Sequence, residues 1–389
     1  MCIAQIIRSW GIKLKHKMPD GGGNMIFVKT KDLRVGMRLA KPIYNKKGVM
    51  LYERNTKLTE KGLSSVKNFE LIGLYILEPA EPVPPMTEED VEFERFQTMS
   101  VFNLREDMQS LIKKKEPRGI KKLINSIIKN YGNLYHRVNF MQNLRSTTDY
   151  VYKHSLNVAI LSAIISNVMN IHGEEQEEIV YASLIYDIGK LALEDERLTG
   201  KENPNEEEKA KILEAIKYGN SLLEYSYKMP IGVKRLVGQV QREIYMKEKN
   251  EGEQRLFLGT EIILVADIYD RLTSMKLDEA PSSEIWAIKY LQQNSDIYKE
   301  EIVKSLIAGI NIAVPGTCVE FVNGEKGLVI RANPVDILRP RALDFRLNVI
   351  HDLDILDEDD GYQIKDIMKT MDNRTIMNRE LLKKYKSYM

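Results

Sequence analysis

The chain has 389 residues, enough for two or three domains, and its 43% hydrophobic and 29% charged residues are ordinary for a globular protein. A formal net charge of +1 argues against a general nucleic-acid-binding surface and therefore against DNA as a partner, and no apolar run approaches the roughly 20 residues that span a membrane. Two cysteines, Cys2 and Cys318, are too few for a disulfide framework or a cysteine metal site and indicate a reducing, cytoplasmic location.

Residues 1–24 are expected to lie outside the fold as a leader. This segment carries basic residues, has no small-residue cleavage site, and ends in a glycine run just before Met25. Glycine codons are rich in guanine, so the run could be a translated ribosome-binding site. We expect Met25 to be the true start, and a flexible leader is the alternative.

Residues 25–79 are predicted to form a small α+β module. Two apolar runs flank a glycine-containing hairpin loop at 45–48, Thr59 is placed to cap a short helix, and 71–77 has the pattern of a closing strand. The segment contains no catalytic constellation, which favours a structural or protein-contact role over ligand binding.

Residues 80–146 are predicted to be a proline-rich linker followed by connector helices. The prolines at 79–85 indicate a stiff, extended chain, and apolar residues recur at helical spacing from about 88 to 146. Two amphipathic helices broken near Pro117 would form a connector or a dimer contact, or would pack onto the next domain. Both interpretations stay open at this point.

Residues 147–313 are predicted to form a helical bundle with a buried site. Its helices are predicted at about 148–170, 174–191, 206–226, 230–249, 259–275 and 282–293, with a last one to about 310, and Asn205 with Glu208 three residues later predicts a capping box. His154, Asp187 and Asp267 each lie among apolar neighbours on a separate predicted helix. An isolated buried carboxylate is costly, so the two aspartates need a cation, a metal ion or a catalytic task. Facing helices of a bundle can bring one histidine and two aspartates onto one metal ion. Lys190, three residues after Asp187, is expected to be its ion-pair partner or a phosphate contact.

The sequence around these residues resembles the HD-GYP branch of the HD phosphohydrolases, bacterial enzymes that hydrolyse cyclic di-GMP. The resemblance rests on the segments 152–159, 186–190 and 265–274, and it extends from about Thr148 to Ile312. The family's helical fold, its phosphodiesterase activity and its iron or manganese cofactor are what this resemblance implies. It also implies metal-ligand positions at His154, Asp187 and Asp267, and catalytic positions at Asp187 and Lys190.

Several family positions are changed, which predicts a degenerate active site. The family has histidines at four positions that other residues occupy here: Tyr186, Ala215, Gln241 and Arg242. In addition, no Gly-Tyr-Pro follows these positions before Gly259. A bundle-core site for two or more metal ions needs about six histidine and carboxylate donors, so we expect the metal to be absent or partial.

Arg242 brings a fixed positive charge to a position where the family has a histidine. We therefore expect its guanidinium to lie between Asp187 and Asp267, to substitute for the charge of the metal, and to contact a ligand together with Lys190. By contrast, Asp270, Thr273 and Glu243 are interpreted as solvated or capping residues.

Three functions are left open by these observations. The first is a degenerate HD-GYP-like signalling protein that binds cyclic di-GMP, another phosphorylated nucleotide, a protein partner or a second copy of itself. The second is an active phosphodiesterase with a reduced site of one metal ion. The third is a purely structural scaffold. The missing ligands favour the first and third over the second.

Residues 314–356 are predicted to form a small β domain, because a hairpin turn at 323–325 joins two runs with a period of two. The acidic run at 357–360 is expected to be a solvated loop, and 363–386 a basic amphipathic helix, so that 357–389 ends the chain. The predicted fold is mainly α: an HD-type helical bundle flanked by a small N-terminal α+β module and a small C-terminal β module.

Overall fold

The computed structural model describes residues 26–45, 49–69, 71–77, 88–224, 229–246, 255–276, 281–333, 336–347, 349–355 and 361–368. The predicted leader, the proline-rich linker and the acidic run at 357–360 lie outside these residues. Within them the chain is mainly helical, with a small mixed module before the helices and a β-sheet after them, which confirms the predicted fold class. No helix in these ranges combines the length and apolar character needed to cross a bilayer.

The N-terminal module consists of a three-stranded antiparallel sheet, a two-stranded hairpin and one helix. Its elements are β1 Ile26–Lys29, β2 Arg38–Leu39, β3 Ile43–Tyr44, β4 Met50–Tyr52, α1 Glu60–Asn68 and β5 Gly73–Leu77. The sheet order is β1-β5-β2, and β3 pairs with β4, while residues 46–48 of the predicted hairpin loop lie outside the described residues. The Thr59 hydroxyl accepts a hydrogen bond from the Gly62 amide at 3.1 Å, which confirms the predicted helix cap.

The helical domain follows, and its nine named helices in the described ranges surround one core. They are α2 Glu88–Ile112, α3 Ile120–Tyr131, α4 Tyr150–Val168, α5 Glu174–Ile185, α6 Glu206–Glu224, α7 Ile231–Gln241, α8 Leu258–Thr273, α9 Glu284–Gln293 and α10 Glu300–Gly309. Helix α4 is apolar on nearly all sides and is buried along almost its whole length, as expected for a central helix.

Helices α2 and α3 belong to the same hydrophobic core as the rest of the bundle. Phe93 and Leu104 of α2 and Ile127 of α3 are buried in one cluster with residues of α4, α5 and α8. Of the two interpretations of residues 88–146, packing onto the next domain is therefore the one that the structure supports.

Two predicted helix boundaries need correction. The helix predicted at 174–191 ends at Ile185, and a 3-10 turn, Ile188–Ala192, continues the chain. The reason is close packing: a methyl group added at Gly189 would overlap the carbonyl oxygen of Ala215 on α6. The helix predicted at 230–249 ends at Gln241, and a π-helical turn, Arg242–Met246, follows it.

The C-terminal sheet has five antiparallel strands in the order β10-β6-β7-β8-β9. They are β6 Cys318–Phe321, β7 Lys326–Arg331, β8 Arg341–Asp344, β9 Val349–Asp352 and β10 Ile364–Met368. The start of the helix predicted at 363–386 is wrong, because Ile364 is fully buried and β10 pairs with β6. The rest of that predicted helix lies outside the described residues.

The contact between Gly189 and α6 predicts a difference between two glycine substitutions. Gly189→Ala should lower the free energy of unfolding by about 1–3 kcal/mol, because it inserts a methyl group into a fully packed contact. Gly238→Ala on α7 should instead raise it by about 0.5–1 kcal/mol, because no atom lies within 4 Å of the new methyl group. Urea unfolding measures both, and equal effects would contradict the packing described for Gly189.

Candidate functional site

The three residues singled out in the sequence lie together in the helical domain. The Nε2 atom of His154 on α4 lies 3.1 Å from Asp267 Oδ1 on α8 and 3.9 Å from Asp187 Oδ2, just beyond the end of α5. Helices α5 and α8 both pack against α4, so three helices position these side chains. All three side chains are at most 5% exposed.

These residues are part of a larger buried network, called the central cluster below. Its members share direct hydrogen bonds or ion pairs with one another: they are Arg145, His154, Tyr186, Asp187, Lys190, Tyr245, Asp267, Asp270 and Arg271. Three carboxylates thus meet a histidine, a lysine and two arginines.

His154 is held by both of its ring nitrogens. Nδ1 lies 2.6 Å from Asp270 Oδ2, and Nε2 lies 2.7 Å from the Tyr186 hydroxyl. The Tyr186 hydroxyl in turn donates a hydrogen bond to Asp267 Oδ1 at 2.6 Å. Burial lowers the pKa of His154, but its hydrogen bonds to Asp267 and Asp270 outweigh burial and raise that pKa above its ordinary value. The protonated imidazole is therefore favoured, with both nitrogens as donors.

Asp187 is paired with a cation and with a phenol. Lys190 Nζ lies 2.9 Å from Asp187 Oδ2, as expected for an ion pair three residues apart. The Tyr245 hydroxyl donates to Asp187 Oδ1 at 2.7 Å and accepts from Arg271 Nη2 at 2.9 Å. Burial raises the pKa of Asp187, but the charges of Lys190 and His154 lower it to a net value below the ordinary one.

Asp270 is a second centre of the network, and its interpretation as a solvated or capping residue was wrong. It is fully buried, and Arg145 Nη2 lies 2.7 Å from its Oδ1 and 2.6 Å from its Oδ2. The Asn157 amide donates to Asp270 Oδ1 at 2.8 Å, and the Gln142 amide does so at 3.0 Å. Burial raises the pKa of Asp270, yet the charge of Arg145 and the contact with His154 lower it to about 2.

The guanidinium that pairs with Asp267 belongs to Arg271 and not to Arg242. Arg271 Nε lies 2.9 Å from Asp267 Oδ2, one helical turn along α8. Arg242 is half-buried at the start of the π-helical turn, beside the fully buried Gln241, whose amide donates to the Tyr186 carbonyl at 2.7 Å. Tyr245, three residues further along this turn, donates to Asp187. Positive charge beside Asp267, which the sequence led us to expect from Arg242, is supplied by Arg271.

The donor set of the central cluster does not fit a metal ion. Both nitrogens of His154 are engaged with Asp270 and Tyr186, and Asp267 accepts from Tyr186 and Arg271. A cation stands beside each carboxylate, so the negative charge that would bind a metal ion is already balanced. Across the described ranges, no group of three or more His, Cys, Asp or Glu side chains is arranged to hold a metal.

Three residues of the central cluster, and Asn157 beside it, were missed in the sequence, although signals for Arg271 and Asn157 exist. Arg271 lies four residues after Asp267, the spacing at which a helix brings opposite charges together. Asn157 lies three residues after His154 in a mostly apolar helix, which marks it as a partner for a second buried polar group. Arg145 and Tyr245 have no such signal, because a loop and a π-helical turn position them.

Comparisons with known proteins add little to this geometry. No family model matches the sequence, and no curated protein matches it. Among solved structures, the chain is similar to Bd1817, an HDG"Y"P protein from Bdellovibrio bacteriovorus. The identity is 15% over 72% of this chain and 97% of that chain, with a TM-score of 0.42, which is too low to assign a family, substrate or activity.

Removing the Arg271 guanidinium should destabilise the fold strongly. Arg271→Ala should lower the free energy of unfolding by about 3–5 kcal/mol, because it leaves Asp267 buried with a missing cation. Arg197→Ala, which breaks an exposed pair with Asp195, is the matched control and should have little effect. Urea unfolding measures both changes, and a similar small loss for both variants would contradict the central cluster as a structural unit.

The pKa values predict a stability optimum in mildly acidic solution. The pKa of Asp270 is about 2 in the folded protein and about 3.9 in the unfolded chain. Its contribution to the free energy of unfolding is therefore present above about pH 3.9 and is lost as the pH falls toward 2. The stability from His154, whose pKa is raised, is present below its unfolded pKa of about 6.5 and is lost as pH rises through the folded value.

The unfolding free energy should therefore be greatest between about pH 4 and pH 6.5. Its measurement by urea unfolding in wild type and in His154→Gln tests the histidine directly. The difference between the two proteins should shrink as pH rises above about 6.5. A difference that does not change with pH would contradict a protonated His154 in the folded protein.

Proposed function

We propose that this chain is a non-catalytic HD-GYP-like signalling protein, related to the cyclic di-GMP phosphodiesterases, that acts by binding a partner and not by hydrolysis. The family relationship rests on the sequence segments around His154, Asp187 and Asp267. The loss of activity rests on the central cluster.

The observation that carries this proposal is the contact of Tyr186 with both His154 and Asp267. Its hydroxyl lies 2.7 Å from His154 Nε2 and donates to Asp267 Oδ1 at 2.6 Å. It therefore contacts both of the side chains that would have to bind a metal ion. Burial raises the pKa of Tyr186 well above its ordinary value, so the phenol stays neutral and is a poor ligand for a divalent ion.

Without a bound metal ion, the reaction lacks an activated nucleophile. A metal ion lowers the pKa of bound water to about 7, and the cations present here supply positive charge without binding water in that way. Asp187 is paired with Lys190 and hydrogen-bonded to Tyr245, so it is also a poor general base. These features weigh against the alternative of an active enzyme with one metal ion.

Between the two kinds of partner, the central cluster favours a protein. The cations that would meet phosphate groups, Lys190 and Arg271, are at most 15% exposed and already paired with Asp187 and Asp267. A phosphorylated nucleotide such as cyclic di-GMP would have to displace those ion pairs. A protein partner, a second copy of the chain included, could bind elsewhere while the cluster keeps the fold rigid.

Purified full-length protein should not hydrolyse cyclic di-GMP when manganese or ferrous iron is added. Its turnover should equal that of Asp187→Ala, because the side chains of the central cluster are paired with one another and do not form a set of metal ligands that would activate a water. Elemental analysis should find less than one tightly bound transition metal ion per chain.

Metal-dependent turnover that Asp187→Ala abolishes would contradict the proposal and establish an active phosphodiesterase. Calorimetry with cyclic di-GMP separates the two binding roles. We expect no binding, and binding without turnover would identify the nucleotide as the partner in place of a protein.

A further inference from the structure

The C-terminal sheet has two apolar faces, and the inner one packs against the helical domain. Side chains of successive residues in a strand point to opposite faces of the sheet. Val319, Val329 and Ala342 point to the inner face and belong to the same hydrophobic core as the helices. Helix α9 contacts the sheet at β10, where Lys289 Nζ donates to the Ile364 carbonyl at 2.9 Å. The inner face is therefore covered by helices.

The outer face carries a separate apolar group, called the outer cluster below. Its members point away from the helical core: they are Cys318, Leu328, Ile330, Leu343, Phe345 and Ile350. Leu328 is paired across the sheet with both Cys318 and Leu343, and Leu343 is paired with Ile350. The outer cluster therefore runs without a break from β6 to β9.

The outer cluster is deeply buried, although its described apolar members all belong to the sheet and the β8–β9 turn. Leu343 is 0% exposed, Cys318 and Ile330 are 5% exposed, and Leu328 is 7% exposed. A sheet face that meets water is normally polar, and an apolar face is normally buried against a second layer. Burial this deep therefore requires an element that packs on the outer face.

The sequence that follows the sheet begins at the edge of this face. Strand β10 is an edge strand, and its last residue, Met368, is paired with Cys318 of the outer cluster. Residues 369–389 come next. As a helix, 371–388 would be about 27 Å long, whereas five strands make a face roughly 19 Å wide. The segment is therefore long enough to cross the whole face.

The same segment has the pattern of an amphipathic helix. Four apolar residues, called the apolar stripe below, recur every three or four positions: Met377, Leu381, Tyr385 and Tyr388. Arg379, Lys383 and Lys386 fall on the opposite side of such a helix. A helix of this kind needs an apolar surface for one side and water for the other.

We propose that residues 371–388 form a helix that packs its apolar stripe on the outer cluster of the same chain. The chain's own segment is favoured over a second copy because it begins beside Cys318, so its local concentration at this face is high. The proposal keeps the later part of the helix predicted at 363–386. It concerns a surface outside the central cluster, so it and the proposed function can fail independently.

The thiol of Cys318 reports whether the outer cluster is covered. In full-length Cys2→Ser protein it is the one remaining cysteine of the chain. A buried thiol is inert, so Cys318 should react with dithionitrobenzoate at least a hundredfold more slowly in the native protein than in urea. Leu381→Glu should accelerate the native reaction at least tenfold, because a carboxylate is not tolerated against an apolar face. Arg379→Glu, on the opposite side, is the control and should leave the rate unchanged.

A conservative pair of substitutions tests the same contact without disturbing the fold. Tyr385→Trp places an indole on the apolar stripe, and Lys386→Trp places one on the basic side. After subtraction of the wild-type emission, acrylamide should quench the new tryptophan at least threefold less in Tyr385→Trp than in Lys386→Trp. Equal quenching would overturn the proposal, and so would a Cys318 rate that Leu381→Glu does not change.

Dilution separates the chain's own segment from that of a second copy. The rate of the native Cys318 reaction should be independent of protein concentration, because the contact lies within one chain. A rate that rises on dilution would overturn the proposal, since a second copy would then cover the face. A native rate close to that in urea would overturn it as well, because the face would then be open.

Discussion

The burial of charge in the centre of the helical domain is the constraint on which the rest of the structure depends. Asp187, Asp267 and Asp270 are at most 5% exposed. Carboxylates removed from water are tolerated only when cations and hydrogen-bond donors surround them. Each of these aspartates has such partners, and the partners come from different parts of the chain. The positions of several helices and loops therefore depend on the pairing of charges in the central cluster.

This balance explains why the loop before α4 and the π-helical turn after α7 lie where they do. The loop delivers Arg145 to Asp270, and the π-helical turn delivers Tyr245 to Asp187. The same loop pairs with the N-terminal module, because the Ile72 amide donates to the Arg145 carbonyl at 2.7 Å. The short segment around Arg145 therefore contributes both to the central cluster and to the attachment of the N-terminal module.

The periodic parts of the fold could be predicted from the sequence. Alternating and helical patterns identified the N-terminal module, the bundle and the C-terminal hairpin, and the capping box at Asn205 and Glu208 is confirmed by two reciprocal hydrogen bonds at 2.8 and 2.9 Å. The helix predicted at 363–386 was wrong at its start because a short strand such as β10 is defined by the strand it pairs with. That partner, β6, lies over 40 residues earlier.

The candidate site could be predicted only in part. His154, Asp187 and Asp267 were identified because a polar side chain buried among apolar neighbours needs a hydrogen-bond or ion-pair partner. Arg271 was not chosen, although it is the arginine that pairs with Asp267, and the π-helical turn at Arg242–Met246, which sets the direction of Tyr245, could not be predicted from the pattern. Two neighbouring residues on a helix point about 100° apart, so a single position decides whether a guanidinium reaches a buried carboxylate.

The central claim is that protein cations, and not a metal ion, balance the buried carboxylates. The most direct measurement is the urea unfolding midpoint of purified protein with a chelator and then with about 1 mM manganese, because an ion that binds the folded state at a hundred times its Kd adds about 2.7 kcal/mol. The account predicts the same midpoint in both conditions. A midpoint that rises with manganese in wild type, and does not rise in His154→Gln, would contradict it.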